Sequence, residues 1–175
     1  MQPFQVADIK NLGRLEYKAA YALQEQALTR VLDRRRHPLA QPSLGELLLV
    51  EHDPVITVSN RPGVTAHLLA TPEKLAALGV AVEPTDRGGD ITYHGPGQIV
   101  ASPIIDLNKA GLRLHEYLRL LEAAVIQTCA AFRIVGQRDP AATGVWVQTP
   151  SGLAKVCALG IRVRQWISLH GLALN

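Results

Sequence analysis

From Leu15 to about Leu32, Ala20, Leu23, Ala27 and Val31 recur every three or four positions, which predicts an amphipathic helix. The stretch RRRHPLAQPSLG that follows holds two prolines and reads as a connection. Its three arginines suit the negative end of the helix dipole. Gly45–Val50 (GELLLV) and Pro54–Val58 (PVITV) are short, apolar and rich in β-branched residues, as buried strands are. Thr71-Pro72 is an N-cap followed by the favoured first-turn proline, and Gly79 fits just past the end of the same short helix. Strands are expected at Val80–Glu83, around Ile91–Tyr93 and at Gln98–Leu107. A second long helix is expected over Leu114–Ala131, with Leu114, Leu118, Leu121, Val125 and Cys129 along one face.

Beyond Phe132–Val135 the pattern turns to β: GVWV, then KVCALGIRVRQ, then WISLHGLALN, with TPSGLA as the hairpin turn between the first two. Two helices on a mixed, largely antiparallel sheet predict an α+β fold. With no repeat, low-complexity tract or Ser/Gly linker, residues 1–175 read as a single domain. The chain stops inside an apolar strand-like run at Asn175, so the expectation is a domain incomplete at its C-terminus.

Composition narrows the class. Of 175 residues, 47% are hydrophobic and 19% charged, which excludes a disordered chain. No apolar run approaches the roughly 20 residues that cross a bilayer, and the N-terminus has no signal pattern. Two cysteines, Cys129 and Cys157, make no disulfide framework, and the expected location is the cytoplasm. The net charge of +3 is uneven: residues 133–175 carry five Lys/Arg against one Asp/Glu. Aromatics are only 5% and Arg34-Arg35-Arg36 is the one dense basic run, so nucleic acid is not the expected partner, whereas an acidic protein surface would suit.

The segment with most chemistry is DRGGDITYHGPGQ, from Asp86 to Gln98. Its four glycines permit close backbone approach to a ligand. Arg87 could hold an anionic or carbonyl group, and Thr92, Tyr93 and His94 supply hydroxyl and imidazole at a strand end. The alternative is a Gly/Pro-rich hairpin with an exposed histidine. It is no nucleotide-binding glycine motif, since no helix follows. Lys155, in AKVCALG, is the second candidate: partial burial would disfavour its charged form and let it accept a proton, and the alternative is an exposed lysine after a turn. In a regular strand Cys157 shares its face. Parallel side chains do not converge on one atom, so Cys157 reads as a small buried hydrophobe, and Cys129 as core. His170 reads as a satisfied structural histidine beside Gly171, and His52 as a strand-end residue. His37, His67 and His115 lack metal-ligand spacing, so neither a zinc site nor any other cofactor is expected.

Taken in order, RGGDITYHGPGQIVASPIIDL, GVWV, AKVCALGIRV and SLHGLALN resemble the octanoyltransferases of lipoate biosynthesis (lipoyl/octanoyl transferases), and LLLVEHDPVITVSNR is similar to that family's early strand pair. The resemblance spans about residues 10–175, and the RGG-x-x-TYHGPGQ block is its most specific part. It implies a biotin/lipoate protein ligase-like fold. It also implies transfer of an octanoyl group from octanoyl-acyl carrier protein to a lysine of the lipoyl domains of 2-oxoacid dehydrogenases and of the glycine cleavage H protein, through a cysteine thioester. By motif, Arg87, Gly88, Gly89, Asp90, Ile91, Thr92, Tyr93 and His94 would line the acyl site with Ala158, Leu159, Gly160, Gly171, Leu172 and Ala173. Lys155 matches the catalytic lysine that lowers the nucleophile's pKa. The family's nucleophile belongs to a P-C-G segment beyond H-G-[FL]-A-L-N, and neither Cys129 nor Cys157 lies in such a segment. Two other functions remain open: an ATP-dependent lipoate or biotin protein ligase, and a non-catalytic acyl- or carrier-binding homologue.

Overall fold

The structure, a computed structural model, describes residues 7–37 and 43–175. Along the chain run β1 (Asp8–Leu15), α1 (Tyr17–Arg36), β2 (Gly45–His52), β3 (Val55–Ser59), α2 (Pro72–Ala77), β4 (Ala81–Thr85), β5 (Ile91–His94) and β6 (Ile99–Ile105). There follow α3 (Leu107–Ala110), α4 (Leu114–Ala131), β7 (Gly136–Asp139), β8 (Ala142–Thr149), β9 (Gly152–Arg164) and β10 (Ile167–Leu174). A seven-stranded sheet has the order β1-β2-β6-β10-β9-β8-β7, and a three-stranded sheet the order β4-β3-β5. The large sheet is antiparallel except for the β1–β2 pair. The fold is α+β, as the alternation of patterns predicts.

The two long helices take opposite faces of the large sheet. Under α1, Ala27, Leu28 and Val31 pack on Leu48, Ile104, Ile167 and Leu169 of β2, β6 and β10. Nearer the start of α1, Ala20 meets Val50, Val100 and Ala173. On the far face, Val125 and Cys129 of α4 cover Val145 and Cys157, while Tyr117 and Leu121 cover Ile105 and Leu107. Both cysteines are core, as expected. Beside α4, the outer face of β2, β6 and β10 is an open apolar groove of about 590 Å³, with Leu47, Leu49, Leu120, Leu121 and Leu174 among its lining. No helix among the described residues is long and apolar enough to cross a membrane.

Several elements depart from the sequence pattern. β1 and β7 were not expected because DIKNLGRL and GQRD are mostly polar edge strands. α3 is a single turn, capped by Asp106, that interrupts the expected run to Leu107. The small second sheet arises from pairing between segments far apart in sequence. Leu114, placed on the buried face of α4, is 43% exposed. The helix at Pro72 is as expected, with Thr71 Oγ1 accepting the Lys74 N–H.

The arginine run that ends α1 is consumed by ion pairs within the fold. Arg34 meets Asp8 and Glu46, and Arg35 donates to Asp106 at 2.7 Å. Glu46 is fully enclosed and accepts from Arg30 at 2.7 and 2.8 Å and from Lys10 at 2.7 Å. The Arg30 hydrogen bonds, helped by Lys10, pull its carboxyl from about 4.5 down to about 2 against the opposing effect of burial. A carboxyl lowered in the folded state stabilises above its unfolded pKa, and that contribution fades as pH falls from about 4.5 to about 2. Glu46→Gln is therefore expected to cost about 3 kcal/mol at pH 7 and progressively less below pH 4; urea unfolding at several pH values measures it, and a pH-independent cost would contradict the assignment.

Candidate active site

The site lies where the small sheet meets the large one beneath the start of α1. On the large sheet, β9 and β10 pair as Ala158 with Ala173, Leu159 with Leu172 and Gly160 with Gly171. Small residues on the α1 side leave a slot there. The slot is closed by the loop after β4, by β5, and by Tyr17 and Gln24 of α1. Two glycines make the closure possible. A Cβ on Gly160 would lie 2.8 Å from Gly88 O and 3.2 Å from Arg87 Cδ, so any side chain there would push the loop away. Gly171 has φ +149°, and a Cβ would run into Ala101 O of β6.

Hydrogen bonds fix the loop. The Gly88 N–H donates to Ile161 O at 3.0 Å. Asp86 accepts from His170 Nε2 at 2.7 Å, from Arg162 at 3.0 Å and from the Tyr21 hydroxyl at 3.1 Å. Burial pushes the Asp86 carboxyl up, but His170 and Arg162 outweigh it and hold it below the ordinary range. His170 itself is left-handed, with φ +57°, a conformation a non-glycine residue adopts only when its surroundings impose it. Its N–H donates to Gln24 Oε1 at 2.8 Å and its ring stacks on Tyr21 at 5.3 Å.

Arg87 is mostly buried, and its Nε and Nη2 donate to Thr57 Oγ1 while Nη2 also reaches Thr57 O. No carboxylate lies within ion-pair distance among the described residues. Burial lowers its pKa. A half-enclosed guanidinium that bonds only neutral oxygens is a site for a carbonyl or an anion.

Three histidines line the slot, all enclosed, and their partners fix their tautomers. His52 Nδ1 donates to Leu15 O, and His94 Nδ1 donates to Gln98 Oε1 at 2.6 Å, since the Gln98 amide nitrogen is already donating to Tyr93 O and Asn175. His170 donates from Nε2 to Asp86. Each ring thus keeps one basic nitrogen. Burial lowers the pKa of His52 and His170 and drives His94 down to about 4, so the rings are neutral at physiological pH. The rings of His52 and His94 meet edge to face at 5.6 Å, with Tyr17 packed on both.

Residues 16–175 match the family described as the lipoyl protein ligase A/B catalytic domain. The chain belongs to this family. An octanoyltransferase of Flavobacterium psychrophilum is 43% identical over 172 residues, which are 95% of this chain and 74% of that protein. One of Chloroflexus aurantiacus is 44% identical over 165 residues, 94% of this chain and 70% of that protein. Among solved structures, a bi-partite lipoate protein ligase from Thermoplasma acidophilum has a TM-score of 0.68 at 16% identity, covering 97% of this chain and 61% of its own. Lipoate-bound LipL1 of P. falciparum has a TM-score of 0.67 at 13% identity, covering 95% of this chain and 47% of its own. These two show the ligase-like fold expected from the sequence.

Of the residues singled out by resemblance to the family, Arg87, Thr92, His94, Ala158, Leu159, Gly160, Gly171, Leu172 and Ala173 line one slot. Gly88, Gly89, Asp90, Ile91 and Tyr93 shape the loop without lining it. Asp90 holds His67 at 2.8 Å, and the Tyr93 ring is 52% exposed because strand alternation turns it outward. The exposed-histidine alternative for His94 fails, since it is buried. Tyr17, Gln24, His52 and Ser102 also line the slot and were not assigned to it from sequence.

The expected shared face of Lys155 and Cys157 is corrected by the register. Trp146 pairs with Lys155 but Val145 pairs with Cys157, so Val156 is an extra residue and the alternation breaks. Cys157 faces α4 with Val145. Lys155 instead takes the face shared with Ala158, about 10 Å farther along β9. Of the two settings open to it, the exposed one holds: Lys155 is exposed, with its ammonium 4.7 Å from the centre of the Trp146 ring. Burial pushes the Cys157 thiol up to about 12, so it is not a thiolate at neutral pH.

Neutral buried histidines give stability a second pH window. A histidine whose folded pKa is depressed stabilises above its unfolded value near 6.5, and this is lost as pH falls through that value toward about 4. The urea midpoint is expected to drop across this range. His94→Gln should flatten the drop, and an unchanged slope would place the His94 ring in a solvated setting.

Proposed function

We propose that this chain is the acyl-binding portion of an octanoyltransferase that moves an octanoyl group from octanoyl-acyl carrier protein to a lysine of a lipoyl domain, in the cytoplasm. The observation that carries this reading is the convergence on one slot of the Arg87 loop with Ala158–Gly160 and Gly171–Ala173, two paired segments of a hairpin far along the chain from it. The slot has small walls and, among the described residues, one cation, Arg87, that has no carboxylate within ion-pair distance. Arg87 is suited to hold the thioester carbonyl oxygen, and backbone groups of β9 and β10 suit the first methylenes. The slot offers about 50 Å³, space for some three to five waters, so a short unbranched tail suits it better than a bulky ring.

The transfer breaks the donor's thioester. A sulfur nucleophile takes the acyl group, the donor leaves as its thiol with the nucleophile's proton, and the acceptor lysine amine then displaces the sulfur to form the amide. In this reading Lys155, on the same face of β9 as the slot, carries that proton once the donor is bound. Neither Cys157 nor Cys129 suits the sulfur's role, because both are buried under α4. In this reading the sulfur that takes the acyl group is neither of these two. A second reading, favoured by the burial of both cysteines, is a homologue that binds octanoyl groups without transferring them.

Binding of octanoyl-carrier protein to single variants tests these roles. Arg87→Ala is expected to weaken binding about tenfold or more, while Lys155→Ala leaves it within about twofold because its role is in proton transfer. The reverse pattern would exchange the two residues. Peptide mass mapping is expected to find no octanoyl adduct on Cys157; finding one would overturn the assignment.

A further inference from the structure

Transfer of an acyl group to a lysine sets a hazard within the protein itself. A thioester that the acceptor's lysine can attack is open to attack by Lys155 too, which shares its face of β9 with Ala158 of the slot. In that reaction the Lys155 amine bonds to the acyl carbon, the carbon–sulfur bond breaks, and the thiol leaves with the amine's proton. Only the neutral amine has the lone pair this needs, whereas the ammonium can still hand a proton to a leaving sulfur. The structure holds Lys155 in a way that separates the two forms. Its ammonium lies 4.7 Å from the centre of the Trp146 ring. Trp146 is its cross-strand partner on β8, and in the sheet order β10-β9-β8 that strand lies on the opposite side of β9 from β10. The stem of Lys155 runs over Gly144 of the same strand. A Cβ there would come within 3.2 Å of Lys155 Cε and 2.6 Å of Cys157 O, and the φ of +134° is one that side chains rarely adopt. The Trp146 indole N–H is buried with no hydrogen-bond partner among the described residues, so no polar bond accounts for the ring. What the indole offers is its face, the best of the aromatic side chains for a cation.

We propose that Gly144 and Trp146 guard Lys155: they draw its ammonium over β8, away from the slot, and so keep the chain from octanoylating its own lysine. The inference rests on the reading of the slot as an acyl site. The ring face attracts the charged ammonium and gives nothing to the neutral amine, so the contact favours the form that cannot attack the acyl carbon. Gly144 supplies the room in which the stem lies flat toward the ring. A contact of this kind is weak at an exposed site, which leaves Lys155 able to move to a bound donor.

The experiment incubates the chain with octanoyl-N-acetylcysteamine, a small thioester donor, and follows octanoylation of each of its five lysines by peptide mass mapping. Lys74, exposed and without an ion pair among the described residues, is the internal reference. Trp146→Leu is expected to raise the Lys155 rate about fivefold over wild type while the Lys74 rate stays within about twofold. Trp146→Phe, which keeps a ring face, should lie closer to wild type than to Trp146→Leu. Loss of the fold would raise Lys74 together with Lys155; Trp146→Gln, which also lacks a ring, then takes the place of Trp146→Leu. An unchanged Lys155 rate in the ringless variant, or equal rates with and without the ring of Trp146→Phe, would overturn the guard. Adding Arg87→Ala to Trp146→Leu tests the slot separately, and is expected to remove the excess of Lys155 over Lys74. Should that excess persist, the guard stands but the donor reaches Lys155 without the slot, and the acyl-site reading falls.

Discussion

The functional architecture depends on one close approach of backbone to backbone. Gly88 lies against β9 near enough that Gly160 has no room for a side chain, and the Gly88 N–H to Ile161 O hydrogen bond fixes the distance. That contact docks the small sheet on the large one. Without it β9 and β10 would present an open, flat surface. With it they form the floor of a slot whose other wall is the Arg87 loop. The Asp86 carboxylate reinforces the contact from three directions, through β10 by His170, through β9 by Arg162 and through α1 by Tyr21.

Enclosure then sets the chemistry. A guanidinium taken out of water and given only neutral oxygens retains its attraction for a ligand carbonyl. The same enclosure keeps three imidazoles uncharged, so none of them adds a positive charge beside Arg87 at physiological pH. The bulge at Val156 separates two residues that a regular strand would put side by side, leaving Cys157 in the core and turning Lys155 toward the slot's face.

Much of this was legible in the sequence, for identifiable reasons. The bounds of α4 follow from a clean apolar stripe in LHEYLRLLEAAVIQTCAA, and the glycine-rich loop stands out because few other functions need so many glycines beside a histidine. β1 and β7 escaped because edge strands with polar faces carry no alternation. The face of Lys155 was misread because a bulge leaves no mark in KVC. Gln24 and Ser102 did carry a signal: each is a polar residue on the buried side of its element, Gln24 within the Ala20–Val31 stripe of α1 and Ser102 between Val100 and Ile104 of β6. Pairing across long sequence separations, which builds the second sheet and closes the slot, is not written in local periodicity at all.

Two concave surfaces lie on opposite sides of β6 and β10, and they differ in kind. The groove beside α4 is larger and nearly all apolar, but it offers little to bind a carbonyl; the slot is small, sets polar groups among small apolar walls, and holds Arg87. Chemistry rather than volume assigns the acyl group to the slot. Amide chemical-shift mapping of the ¹⁵N-labelled chain during titration with octanoic acid tests that choice most directly. The account predicts shifts centred on Arg87, Gly88, Gly160 and Gly171, whereas shifts confined to Leu47, Leu120 and Leu121 would place the chain in the groove and contradict it.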